Sequence, residues 1–271
     1  MIGVRAGSYC GSLLGLLASK IMAERKTALR NIQNALPHLS AQQQKDILAQ
    51  NWRQFGRVIG EWPHLEQLSN DRERLRFIGK ENVQAALDTG KAALFVSAHL
   101  SNWELAVAGL RQLVDEFGIT YRIANNPYSE KWIHQRRGAF AAYQIAKGQS
   151  GARQMINLIK QNIPLTILID HWLNAGDPIA FFGRPTRAPS AAVKLARRFE
   201  LPIVPTIIRR RTDAPDAVYF EQVFFPPIYV AKSDNQRADI DATMRVLYDM
   251  LETWIRERPE EWFWAHRRWR D

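Results

Sequence analysis

Between residues 40 and 68 the apolar positions return every three or four residues. Ile47, Leu48, Trp52, Phe55, Val58 and Ile59 would share one face of a helix that Ser40 caps and Pro63 kinks or ends. Beyond residue 90 the pattern changes to short apolar runs separated by segments of helical period. AALFVSA (92–98), ITYRI (119–123), PLTILID (164–170) and LPIVPTIIR (201–209) read as strands, and AVYFEQVFF (217–225) as an edge strand after a polar turn. Helices are expected near 102–116, 129–140, 151–161, 188–199 and 238–257, with a long loop from 171 to about 187. Strands separated by helix-length segments predict an α/β fold: a single domain with a mostly parallel or mixed central sheet flanked by helices. The runs at 92–98 and 164–169 do not alternate with polar residues, which suits strands buried on both faces. The main domain is expected over 71–271, with residues 1–70 as a helical preface packed on it.

Composition narrows the class. With 271 residues and 46% hydrophobic positions, the chain has ample material for a core. A single cysteine, Cys10, rules out an internal disulfide framework and suits a reducing compartment. Lys and Arg outnumber Asp and Glu by 37 to 27, so the surface attracts polyanions: nucleic acid, anionic lipid or an acidic protein. The apolar stretch AGSYCGSLLGLLAS (6–19) is shorter than the roughly 20 residues a spanning helix needs. It reads as an interfacial helix, which makes the preface membrane-proximal. The closing EWFWAHRRWR interleaves tryptophan with arginine, as suits a bilayer surface or stacked nucleic-acid bases. No helix-turn-helix, RNA-recognition or zinc-ligand pattern supports nucleic acid, and the spacing of metal ligands in zinc enzymes is missing.

The candidate chemistry sits where the strand at 92–98 gives way to a helix, in LFVSAHLSNWELA. His99 falls at the carboxyl end of its strand, where open α/β sheets gather their ligands. With His99 in the turn and Glu104 in the first turn of the helix, the carboxylate can hold one ring N–H while the other nitrogen takes a proton from a hydroxyl. A second reading is that Ser101 and Glu104 form a capping box, Ser101 as N-cap and Glu104 reaching back. The two roles are compatible, and the sequence leaves both open.

SAHLSNWELA resembles the His-x4-Asp/Glu motif of glycerolipid acyltransferases, in the Asn-Trp-Glu form of the lipid A biosynthesis acyltransferases. Other blocks similar to that family follow in order: YRIANNP (121–127), HQRRG (134–138), ILIDH (167–171), FFGRPTRAPS (181–190), LPIVPTIIRR (201–210) and RPEEWFWAHRRWR (258–270). Upstream, ALRNIQNALPHLS and GRVIGEW resemble its N-terminal helices, so the likeness covers nearly the whole chain. The start departs from it, because a membrane-spanning anchor is short or missing there.

The resemblance implies transfer of a fatty acyl group from an acyl-carrier-protein thioester to a hydroxyl of an anionic lipid A precursor. His99 would be the general base and Glu104 its orienting carboxylate. Asn102, Arg122, Arg137, Asp170, Arg184 and Arg187 would bind substrate, with Arg122 and Arg137 suited to phosphate or carboxylate. No metal and no cofactor are implied beyond the thioester co-substrate. The expected partners are acyl carrier protein, the lipid acceptor and a membrane surface, and not nucleic acid. The expected place is the cytoplasmic face of a bacterial inner membrane, peripheral or anchored by the N-terminus.

Several readings stay open on the sequence alone. Each arginine is either an anion contact or a solvated charge. Asp170, ending its strand, either pairs with an arginine or takes part in chemistry. His171 would point to the opposite face from Asp170. Phe181 and Phe182 either line an acyl channel or fill the core. The acceptor is either a lipid A precursor or another phospholipid or glycolipid, and a catalytically inert lipid-binding relative is the rival of a different class.

Overall fold

The computed structural model describes residues 3–124 and 126–269; Asn125 and Arg270, which fall in two of the quoted blocks, lie outside them. Helix α1 (Val4–Ala18) lies against α3 (Ala41–Glu61), with α2 (Glu24–Ala35) between them in sequence. Ser40 caps α3 with a reciprocal box: its hydroxyl accepts from the Gln43 N–H, and the Gln43 side chain accepts from the Ser40 N–H. Pro63 sits in a short 3-10 turn that ends α3, followed by α4 (Leu65–Asn70).

Helices α1 and α3 pack backbone to backbone, because their facing positions are glycines. A β-carbon on Gly56 would stand 2.0 Å from the Gly11 carbonyl oxygen, and one on Gly15 would stand 2.3 Å from that of Trp52. The outer face of α1 keeps Tyr9, Leu13, Leu14 and Leu17 exposed, with Ile21 and Met22 beyond its end. Among the described residues no helix is long and apolar enough to cross a membrane.

The main sheet has seven strands in the order β1-β9-β8-β2-β5-β3-β4. These are β1 (Leu75–Ile78), β2 (Leu94–Ser97), β3 (Gly118–Tyr121), β4 (Tyr143–Ala146), β5 (Leu165–Leu168), β8 (Ile203–Arg210) and β9 (Phe220–Phe224). Strands β8, β2, β5, β3 and β4 run parallel; β9 is antiparallel to β8 and parallel to β1. The sheet is therefore mixed, with helices α5 (Lys80–Leu87), α6 (Trp103–Leu110), α7 (Pro127–Gly138), α8 (Gln149–Lys160), α9 (Ala191–Phe199) and α10 (Gln236–Glu257) around it.

Strand β2 shows why its sequence is apolar throughout. Leu94 and Val96 face one side and pack into the cluster built with α9 and α10. Phe95 faces the other side and packs with Val83 and Ala86 of α5 and Leu110 of α6. Side chains alternate faces along a strand, so a strand covered on both sides has no polar face. Phe95 is fully buried, and its truncation to alanine would cost about 3–5 kcal/mol.

Three expectations change here. β9 is internal, with β1 on its outer side. The segment expected as a long loop is mostly a hairpin, β6 (Asp177–Phe181) against β7 (Arg184–Ala188), turning at Phe182 and Gly183, both with positive φ. The tryptophans of the closing segment do not sit at a surface: Trp262, Trp264 and Trp269 are buried in the core, with Phe181 and Phe182 beside them. Arg268, also buried, donates through its two terminal nitrogens to Tyr248, Thr186 and the Arg187 carbonyl.

Candidate active site

The parallel strands β2, β5, β3 and β4 all end on one side of the sheet, and the residues that follow them meet there. His99 comes two residues after β2, Asp170 two after β5, Arg122 one after β3 and Lys147 one after β4. This is the crevice beyond the strand ends in which α/β sheets hold ligands.

The His99 turn is fixed by the C-terminal segment. The Ser101 N–H donates to the Glu261 carbonyl, and the Phe263 N–H donates to that of His99. Ser101 adopts φ of 50°, a left-handed conformation that lets the chain swing from strand to helix. Asp170 is fully buried and accepts three hydrogen bonds at this point. The His99 backbone N–H (2.9 Å) and the Trp262 indole N–H (2.8 Å) donate to Oδ2, while His99 Nδ1 lies 2.8 Å from Oδ1. Burial alone would raise the carboxyl pKa, but attraction to His99 and the hydrogen bonds from it outweigh burial and hold Asp170 well below the usual carboxylate range. An ionised Asp170 only accepts, so the shared proton belongs to His99 Nδ1, which leaves Nε2 as the nitrogen that carries the lone pair of the neutral ring. The rings of Trp103, Phe263 and His266 surround the imidazole at centroid distances of 5.4, 6.4 and 4.9 Å.

Glu104 has a different partner from the one expected. Buried on the first turn of α6, it accepts from Arg137 Nε at 2.9 Å and from Arg137 Nη2, and from the Trp103 indole at 3.1 Å. The carboxylate on His99 is Asp170. Nor does Glu104 close a capping box with Ser101: the N-cap is Asn102, whose Oδ1 accepts from the Leu105 N–H at 3.0 Å. A helix beginning one residue later than the sequence suggested turns Glu104 toward α7. Asn102, expected on substrate, is fully buried, and its amide donates to Glu61, which also accepts from Ser8 and pairs with Arg210.

A cavity of about 570 Å³ opens over this point, lined by His99, Arg122, Arg137, Lys147, His171 and His266 among others. Beside it, and sharing Thr120, Lys147, Leu168 and His171 as lining, is an apolar cavity of about 250 Å³ between α8, β5 and the start of α9, lined also by Ile145, Ala152, Met155, Ile167 and Leu173. Desolvation, with Lys147 as the next cause, pushes His171 down to about 3; desolvation and then His99 push His266 down to about 4. Both imidazoles are neutral at pH 7. Burial likewise lowers Lys147, only partly offset by Asp170.

Of the expected site residues, the structure gathers His99, Arg122 and Arg137 around one cavity, with Asp170 buried behind His99 and Glu104 behind Arg137. Arg184 and Arg187 lie on β7 and line neither cavity; Arg187 donates to the Gly176 carbonyl at 2.9 Å. Phe181 and Phe182 fill the core. Lys147, Trp103 and His266 were not singled out by the sequence. Lys147 carries one usable signal: a lysine between the short strand-like stretch YQIA and a glycine.

The chain matches, over residues 1–271, the family model for bacterial lipid A biosynthesis acyltransferase. It is 26% identical to the lipid A biosynthesis lauroyltransferase of Escherichia coli (strain K12), over 96% of this chain and 83% of that one. It is 23% identical to the palmitoleoyltransferase of the same organism, over 97% and 84%. A phosphatidylinositol mannoside acyltransferase of Mycolicibacterium smegmatis is 21% identical, over 89% and 78%. Among solved structures, the 1-acyl-sn-glycerophosphate acyltransferase PlsC of Thermotoga maritima covers 92% of this chain and 99% of that one at 10% identity, with a TM-score of 0.44. With the family model matching from end to end, the chain belongs to the bacterial lipid A biosynthesis acyltransferases, enzymes of lipid A or related glycolipids.

Proposed function

We propose that the protein transfers a fatty acyl chain from an acyl-carrier-protein thioester to a hydroxyl of a lipid A precursor, with His99 as general base. The observation that carries this reading is the His99–Asp170 pair at the mouth of a cavity with a cationic wall and an apolar extension. Nε2 removes the acceptor's hydroxyl proton as the oxygen attacks the thioester carbonyl. Asp170 holds the tautomer and stabilises the imidazolium that forms. Collapse of the adduct breaks the carbon–sulfur bond, and the imidazolium returns the proton to the departing thiolate. Ester and free thiol result, with no acyl-enzyme.

The rest of the site supports the same reading. Arg122 and Arg137 add positive charge to one wall, suited to phosphates on the acceptor or on the carrier's phosphopantetheine. Glu104 holds Arg137 in place at that wall through both oxygens. The apolar cavity suits the acyl chain, whose desolvation contributes about 0.8 kcal/mol per buried methylene. The exposed apolar face of α1 suits attachment to the cytoplasmic face of the inner membrane, the side on which acyl carrier protein is available. A mannosylated phosphoinositide is the second acceptor to test, because relatives carrying that name align over most of this chain.

The test is transfer in detergent micelles from labelled acyl-carrier-protein thioester to a tetra-acylated Kdo-lipid A precursor, with His99→Ala beside wild type. Transfer by wild type alone supports the reading. Equal transfer by a folded His99→Ala protein overturns the base assignment, and no transfer by wild type moves the acceptor elsewhere.

A further inference from the structure

We infer that Lys147 is a further catalytic residue, whose ammonium group takes up the negative charge that develops on the thioester carbonyl oxygen. The inference rests on the acyl-transfer reading and on where the two cavities meet. The residues lining both are Thr120, Lys147, Leu168 and His171. With the acyl chain in the apolar cavity and the acceptor hydroxyl at His99, the reacting carbonyl lies at this seam. Lys147 is the cation there.

Its own environment fits the task. Lys147 leaves the end of β4, with its backbone N–H fixed on the Tyr121 carbonyl. Nζ lies 3.0 Å from His171 Nε2. An ammonium has donors only, so His171 accepts here and carries its proton on Nδ1. A neutral imidazole thus orients the lysine without cancelling its charge, and leaves it two further N–H donors. Arg137, by contrast, is committed to Glu104. As the acceptor oxygen bonds to the carbonyl carbon, the π pair moves onto the carbonyl oxygen and the Lys147 N–H donates to it. When the pair returns, the thiolate leaves and recovers the proton held by His99. No further reactant is needed. Donors placed where an oxyanion forms act more strongly in the transition state than on the ground-state carbonyl.

The experiment compares wild type, Lys147→Met, Lys147→Arg and His99→Ala on the acyl-carrier-protein thioester, with whichever acceptor wild type acylates, the lipid A precursor or the mannosylated phosphoinositide. Lys147→Met should lose about 10²- to 10³-fold in kcat, the size of one oxyanion donor. Its KM for both substrates should stay within about threefold, and Lys147→Arg should recover part of the rate. Wild-type kcat in Lys147→Met overturns the proposal. So does a loss confined to a raised donor KM, which would mark a phosphate contact. His99→Ala reports separately on the base, and turnover of neither acceptor by wild type overturns the acyl-transfer reading itself.

Discussion

Asp170 Oδ1 lies 2.8 Å from His99 Nδ1, and its Oδ2 accepts the backbone N–H of the same histidine at 2.9 Å. One buried carboxylate therefore fixes both the ring and the main chain of the residue. The Trp262 indole completes its coordination from the C-terminal segment. The five-residue His99–Glu104 spacing instead positions a carboxylate for Arg137.

The tautomer follows directly. Nitrogen-15 chemical shifts of the neutral His99 ring should show the proton on Nδ1. In Asp170→Asn the asparagine can present an N–H to the ring, and a substantial population should move to the Nε2–H form. A wild-type ring protonated on Nε2 would contradict the geometry.

Acid should weaken the fold through the buried imidazoles. His266 and His171 resist protonation when folded, down to about 4 and about 3, while in the unfolded chain both titrate near 6.5. Below pH 6.5 the unfolded chain binds more protons, so this contribution is complete above that value and declines as pH falls toward the folded pKa values. Each should remove about 1–2 kcal/mol between pH 7 and pH 5. Asp170, depressed in the fold, extends the loss below about pH 4. Denaturant titrations at pH 7 and 5 should show the decline, and His266→Gln should flatten it. A pH-independent midpoint would contradict both shifts.

Removing one side of the Glu104–Arg137 pair leaves a charge uncompensated. Glu104 is 3% exposed and Arg137 18%, so Glu104→Gln should cost about 2–3 kcal/mol, somewhat below a fully buried pair. Arg137→Lys keeps the charge and should cost less in stability, but it loses the two-pronged contact to Glu104 that places the cation at the cavity wall and should therefore raise the KM of the anionic substrate. Equilibrium unfolding beside steady-state kinetics separates the two effects.

Gly56→Ala tests the α1–α3 contact. A methyl group pressed to 2.0 Å from the Gly11 carbonyl must part the helices, at about 1–3 kcal/mol. Protease cleavage within α1 should accelerate, and retention on anionic vesicles should fall if the exposed Leu13, Leu14 and Leu17 face the lipid. Unchanged cleavage would show that the helices have room to give.

The sequence announced some of this architecture and concealed the rest for physical reasons. Strands β2 and β5 are covered on both faces and read as bare apolar runs. The β6–β7 hairpin lies outside the main sheet and carries Pro178 and Pro185, which demote a strand by local rules although neither breaks this two-stranded pairing. His99, Arg137 and Asp170 were visible as residues at strand ends or in family-like blocks. Their pairing was not, because β2 and β5 are neighbours only in the folded sheet, 71 residues apart in sequence at His99 and Asp170. The C-terminal tryptophans misled for a related reason: alternation with arginine suggests a wet surface, yet Arg268 is buried with its partners.

The most direct measurement is kcat for Asp170→Asn under saturating donor and acceptor. It should fall about 10³- to 10⁴-fold with the fold and both KM values little changed, the size expected when a general base is left in the wrong tautomer. Turnover within a few-fold of wild type by a folded Asp170→Asn protein would contradict it.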